Sequence, residues 1–167
     1  VEDTLGPVLA AAPGDTTVSC GEVPALSTVT ATDICDTAVS VVVTSDTLAG
    51  ACVGESTITR TWTATDACGN ATIQTQVITV IDTLAPIFTF FPNDTTVQCH
   101  RLPDTAVVTA IDACDLSAIT VTVFDSLTLG SCVGTYELRR IYTASDACGN
   151  QTSRVQTILV EDTLGTV

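Results

Sequence analysis

Eight cysteines are the residues in this chain best equipped for chemistry, and their spacing decides which chemistry. They stand at Cys20, Cys35, Cys52 and Cys68, then at Cys99, Cys114, Cys132 and Cys148. No Cys-x-x-Cys occurs, so neither a zinc knuckle nor a thioredoxin-type motif is written here. A repeated set of four in an aromatic-poor chain predicts disulfides and an oxidising compartment. Carboxylates form the second reactive group. Asp33, Asp36 and Asp66, with Asp3, fall in or beside predicted loops, and Asp82, Asp112, Asp115 and Asp146 repeat the set. Clustered hard oxygen donors suit Ca2+ at the junctions between modules. Asp also starts turns by accepting hydrogen bonds from its own backbone, and both readings stand at this level. A third pattern is Asp followed by a hydroxyl residue and then a small or aliphatic one. It marks Thr4, Thr16, Thr37, Thr47, Thr83, Thr95, Thr105, Ser126 and Thr163 as possible O-glycosylation sites, and Asn70, Asn93 and Asn150 fit the Asn-x-Ser/Thr sequon.

Enzymatic chemistry finds no support. His100 is the sole histidine, and its counterpart in the first half is Gly21, so no repeated nucleophile has a base beside it. Net charge is −14 with five Arg and no Lys, which repels phosphate backbones and argues against nucleic acid as a partner. No apolar run approaches the roughly 20 residues that span a bilayer. The missing Lys rules out Lys–Asn isopeptide crosslinks, and the absence of Met and of a visible signal peptide predicts a segment of something longer.

The elements that must hold these groups are short strands. Thr numbers 32 of 167 residues, hydrophobic residues reach 46% and aromatics 4%, a balance suited to pleated surfaces. The chain also repeats. Asp15–Cys20 returns as Asp94–Cys99, ATDICD (31–36) as AIDACD (110–115), and TATDACGN (63–70) as TASDACGN (143–150). A seam phrase recurs at 1–8, 80–87 and 160–167. The reading is therefore two modules of a tandem array: 1–82, 83–162, and 163–167 opening another seam. Predicted strands in the first module are 16–20, 27–32, 39–44, 56–65 and 72–81, between turn residues such as Gly14, Gly50, Gly54 and Gly69. Along 57–65 Thr alternates with Ile58, Arg60, Trp62 and Ala64, which places Ile58, Trp62 and Ala64 on a core face. Several short strands in about 80 residues predict a small β-sandwich.

The stretch WTATDACGNATIQTQVITVIDTLAP (62–86), echoed at 142–162, resembles the closing strands of hyalin-repeat (HYR) domains. That resemblance implies tandem immunoglobulin-like sandwiches, stapled by disulfides, serving as stalk or adhesive modules of large extracellular proteins. Similar Cys-bearing repeats are typical of Bacteroidota surface proteins, whose O-glycosylation motif the Asp-Thr pattern resembles. HYR domains usually carry a Cys in the last strand; here it lies in the Asp-Ala-Cys-Gly-Asn loop, so connectivity cannot be copied. Four cysteines allow three pairings. Threading the strands through a sandwich puts Cys35 and Cys68 at one end and Cys20 and Cys52 at the other. The expected pairs are thus Cys20–Cys52, Cys35–Cys68, Cys99–Cys132 and Cys114–Cys148.

The function these readings give is a non-enzymatic structural repeat, secreted or on the cell surface. It would form a rigid stalk or filament, with neighbouring repeats or other copies as partners and no membrane insertion. The alternative is a ligand- or glycan-binding adhesive module, for which only seven aromatics are available. Phe88, Phe90 and Phe91 are candidates for an apolar interface or for a first strand packed on its own core. Arg60 and Arg140, near Trp62 and Tyr142, are expected to stack or to pair with a seam carboxylate.

Overall fold

Branched and Thr-rich segments that cannot sustain a helical period pair instead as strands, and the computed structural model, which describes residues 3–163, is all-β. The chain divides into two units, Val1–Asp82 and Thr83–Val167. In the first, β1 is Val8–Leu9, β2 Thr16–Ser19, β3 Ala31–Thr32, β4 Ser40–Ala49, β5 Ser56–Thr65 and β6 Ala71–Ile81. In the second, β7 is Ile87–Phe90, β8 Thr95–Gln98, β9 Thr109–Ile111, β10 Thr120–Leu129, β11 Tyr136–Ser145 and β12 Gln151–Glu161. Each unit is a sandwich of one four-stranded sheet, ordered β2-β6-β5-β4 or β8-β12-β11-β10, and one two-stranded sheet, β1-β3 or β7-β9. Antiparallel ladders join the long strands, while β2 and β8 run parallel to β6 and β12.

The period-two reading of 57–65 holds for Trp62 and Ala64, which are buried with Arg60, whereas Ile58 is half-buried like the Thr positions. Trp62 is fully buried under Leu9 and Val29, with Ala31, Val39, Val41 and Val43 packed around. Tyr142 takes the place of Trp62 in the second unit and meets Phe91 edge-on at 5.4 Å. A lower core gathers Leu138, Ile158 and Val160 against Val97 and Tyr136.

Three differences from the strand expectations have physical causes. Of 27–32 only Ala31–Thr32 enters a ladder; the Thr30 carbonyl accepts the Ala10 amide, and further back side chains take the carbonyls. Trp62 donates from Nε1 to the Ser27 carbonyl at 3.2 Å, and Arg60 donates to those of Ala25 (3.1 Å) and Pro24 (2.6 Å). β4 runs five residues past Thr44, to Ala49, since its ladder with β5 continues to Ala49↔Ser56. β1 was not predicted; two residues give no periodicity to read.

Phe88, Phe90 and Phe91 split between the two roles foreseen for them. The β7–β9 register slips between Phe88 and Phe90. This irregularity sends Phe90 outward, 54% exposed, while Phe88 and Phe91 turn in and pack ring on ring at 5.6 Å. Arg154 caps Phe91 from 4.2 Å above its ring centre.

Candidate functional site

The cysteines lie on the turns at the two ends of each unit. At one end, Cys20 follows β2 and donates its amide to the Ile81 carbonyl, and Cys52 sits in the β4–β5 turn, whose Glu55 amide reaches the Cys52 carbonyl. At the other, Cys35 follows β3 and Cys68 occupies the β5–β6 turn. The second unit repeats this as Cys99 with Cys132, and Cys114 with Cys148. Gly50 must be glycine in the β4–β5 turn, because a Cβ there would lie 2.4 Å from that of Glu55. Gly69 and Gly149 serve the other turn with φ of 90° and 89°.

The bonding state of the cysteines departs from expectation. Cys20, Cys52, Cys114 and Cys148 are disulfide-bonded, whereas Cys35, Cys68, Cys99 and Cys132 are exposed thiols. The bridges expected between Cys35 and Cys68 and between Cys99 and Cys132 are therefore not made. The Asp3 carboxylate, reinforced by desolvation and then by Asp33, Cys68 and Asp66, pushes the Cys35 thiol above its ordinary range.

The carboxylates expected as cation ligands are largely spent on backbone amides. Asp33 accepts from Cys35 and Asp36 through one oxygen. Asp36 spends one oxygen on Ala38 and the other on Ala67, tying the β3–β4 loop to the β5–β6 turn. Asp66 accepts from the Cys68 and Asn70 amides and from the Asn70 side chain, which also donates to the Asp3 carbonyl. The second unit repeats the scheme. Asp112 caps Cys114 and Asp115, Asp115 accepts from Ser117 and from Ala147, and Asp146 holds Asn150. These bonds hold Asp66 below the usual carboxylate range, chiefly through Asn70, and Asp115 likewise, chiefly through the Ser117 hydroxyl. Asp82 is buried just beyond β6. Within the first unit the ligand atoms of Asp3, Asp33 and Cys35 lie within 4.8 Å of one another. Ca2+ takes six to eight oxygens, of which these two carboxylates would supply a part.

Of the Asp-Thr positions, Thr4, Thr37, Thr47, Thr83, Thr105 and Thr163 are exposed, while Thr16, Thr95 and Ser126 are half-buried. Two of the Asp residues have structural employment that accounts for their repetition: Asp15 accepts the Val77 amide and Asp94 that of Thr157. Asn70 and Asn150 likewise use their side-chain amides internally.

The arginines behave differently from expectation. Arg60 reaches backbone carbonyls rather than a seam carboxylate, and Arg140 does the same with Pro103 and Asp104 while lying 3.5 Å from Asp125 on β10. Gln76 and Gln156 went unnoticed in the sequence. Each is buried and donates to a loop carbonyl, Gly14 or Asn93. Their signal was available, since both interrupt an apolar strand face at repeat-equivalent positions.

The first unit thus has its four cysteines on two terminal turns, an Asp-Ala-Cys-Gly-Asn turn locked by its own carboxylate, and an aromatic–arginine pair on β5. Residues 8–80 match the family described as HYR-like domain with 4 cysteines. The HYR-like match spans β1 to most of β6. No curated protein matches the sequence. Among solved structures, Drosophila N-cadherin EC1-4 aligns at 14% identity and TM-score 0.41 over 95% of this chain. The chain spans half the length of that structure. Human protocadherin-24 EC1-2 aligns at 14% identity and TM-score 0.40, covering 96% of this chain and 100% of that one. The tandem Ig repeats of Dlar align at 12% identity and TM-score 0.31, covering 93% and 98%.

Proposed function

We propose that the chain is a non-enzymatic structural repeat, working outside the cytoplasm as part of a spacer that carries load or distance in a larger surface or secreted protein. One observation carries this reading. The groups that recur between the units (Arg60 and Arg140, Asp36 and Asp115, Asp66 and Asp146, Gln76 and Gln156) each bond to the backbone of their own unit. Selection has repeated parts that hold a module shut, not parts that face a substrate. The oxidised cysteines agree with an oxidising compartment. Among the described residues no helix is long and apolar enough to cross a membrane.

Single-molecule stretching of the 167-residue chain tests the reading. A spacer is expected to unfold in two discrete force events, each resisting more strongly before reduction than after. A chain that yields at negligible force overturns it. The adhesive alternative is separated by a glycan array, where specific micromolar binding would make recognition, not span, the role. An excess over 17.2 kDa in native material would report sugars on the exposed Asp-Thr sites.

A further inference from the structure

Each unit has two cysteines at each of its ends, and equivalent positions stand in opposite oxidation states. Cys114 and Cys148 are bonded where Cys35 and Cys68 are thiols; Cys20 and Cys52 are bonded where Cys99 and Cys132 are thiols. The local loops do not explain this, because they are alike. Asp33 and Asp112 cap the same amides, Asp36 and Asp115 reach Ala67 and Ala147, and Gly50 and Gly130 close the same turn. What differs is cover. Every bonded cysteine is buried or half-buried, and every free twin is exposed.

Aliphatic side chains stand exposed at both thiol ends, as Ile111 and Leu116 also do beside the bonded Cys114. Beside Cys35, Ile34 is 94% exposed and Leu5 and Val8 stand out around a cleft of about 280 Å3 that Cys35 itself lines. Beside Cys132, Val133 is 98% exposed against 49% for its repeat counterpart Val53. Isolated exposed aliphatics are ordinary, but here they flank exposed thiols at both ends. Asp3 and Asp33 line the cleft at Cys35, while at the other end the exposed His100 and Arg101 follow Cys99, among the carboxylates of Glu137, Glu161 and Asp162.

We propose that these ends are two halves of one joint, so that a second copy of this chain docks its Cys99/Cys132 end on the Cys35/Cys68 end of the first, and disulfides form between copies. This rests on the spacer reading. Different surfaces meeting head to tail make a heterologous contact, which adds copies as a ring or an open chain. Each bridge forms when two thiols lose two protons and two electrons; a disulfide oxidant accepts them and leaves as two thiols. Arg101 would meet the Asp3 and Asp33 carboxylates across the joint, and the aliphatic side chains, covered in it, exclude water.

The test incubates the folded chain with a glutathione-disulfide buffer and follows it by mass under non-reducing conditions. A ladder in steps of 17.2 kDa, collapsed by reductant, is expected. Cys35→Ser/Cys68→Ser and Cys99→Ser/Cys132→Ser chains, folded by circular dichroism, should each stay single, and their mixture should stop at two copies. Arg101→Glu should slow coupling about tenfold at low salt and less at high salt. The proposal is overturned if the oxidised chain stays single, with Cys35 bonded to Cys68 or all four thiols unreacted. It is also overturned if either blocked chain pairs with itself. Its failure leaves the spacer reading to the stretching experiment, which needs no second copy.

Discussion

Arg60 shows how a single side chain can replace a strand. Its guanidinium is buried and bonds two successive carbonyls, at Pro24 and Ala25, in a stretch that forms no ladder. Arg60→Ala would leave both carbonyls unpaired beside Trp62, at a cost of about 2–3 kcal/mol, measured as a fall in the urea midpoint. Arg60→Lys should recover little, because a point charge cannot fork across two acceptors. The sequence displayed the face of Arg60 through the alternation of β5, but not its partners, since backbone carbonyls carry no sequence signature. Cys35 gives a second residue-scale expectation. Asp3 raises its thiol above the ordinary range, so at a given pH less thiolate is present. Its alkylation by iodoacetamide should rise only at higher pH than that of a model thiol. Asp3→Asn should move that profile down; an unmoved profile would remove Asp3 as the cause.

At the scale of elements, the loops are organised by carboxylates that accept amides, a use no charge count can separate from metal binding. Asp66 locks the β5–β6 turn, and Asp115 joins the loop before β10 to the turn after β11. Both titrate below the usual range in the folded chain. The sign follows: their bonds add stability above the unfolded value near pH 4, and that stability drains as pH falls through the lower native values. Urea midpoints should therefore hold from neutrality to about pH 5 and drop toward pH 3. The drop should shrink in Asp66→Asn/Asp115→Asn, whose baseline is already lower. If the carboxylates are loop fasteners, adding Ca2+ should not raise the melting temperature. A rise lost in Asp3→Asn/Asp33→Asn would instead give that corner a ligand role. Strands were legible where both faces alternate, as in β5, and illegible where side chains take the carbonyls, as Trp62 does at Ser27.

The whole molecule carries a natural pair of reporters for whether its two units unfold as one. Trp62, the sole tryptophan, lies in the core of the first unit, while both tyrosines, Tyr136 and Tyr142, lie in the second. The 79–80-residue repeat made two modules readable, yet it hid how differently their cores are filled. Trp62 sits under Leu9 and Val29, whereas Tyr142 sits against Phe91 with its hydroxyl buried and unbonded. An unbonded hydroxyl is a cost with no counterpart at Trp62, whose Nε1 finds the Ser27 carbonyl. Tryptophan fluorescence and tyrosine near-ultraviolet dichroism should accordingly give different urea midpoints. Ile158 is fully buried on β12, and Ile158→Ala would remove about 2–5 kcal/mol by transfer and cavity terms together. If each unit stands on its own core, that loss moves the tyrosine transition and leaves the tryptophan one in place. If both transitions move by the same amount, the units share one cooperative fold, and the module ceases to be the unit that any force or crosslink acts upon.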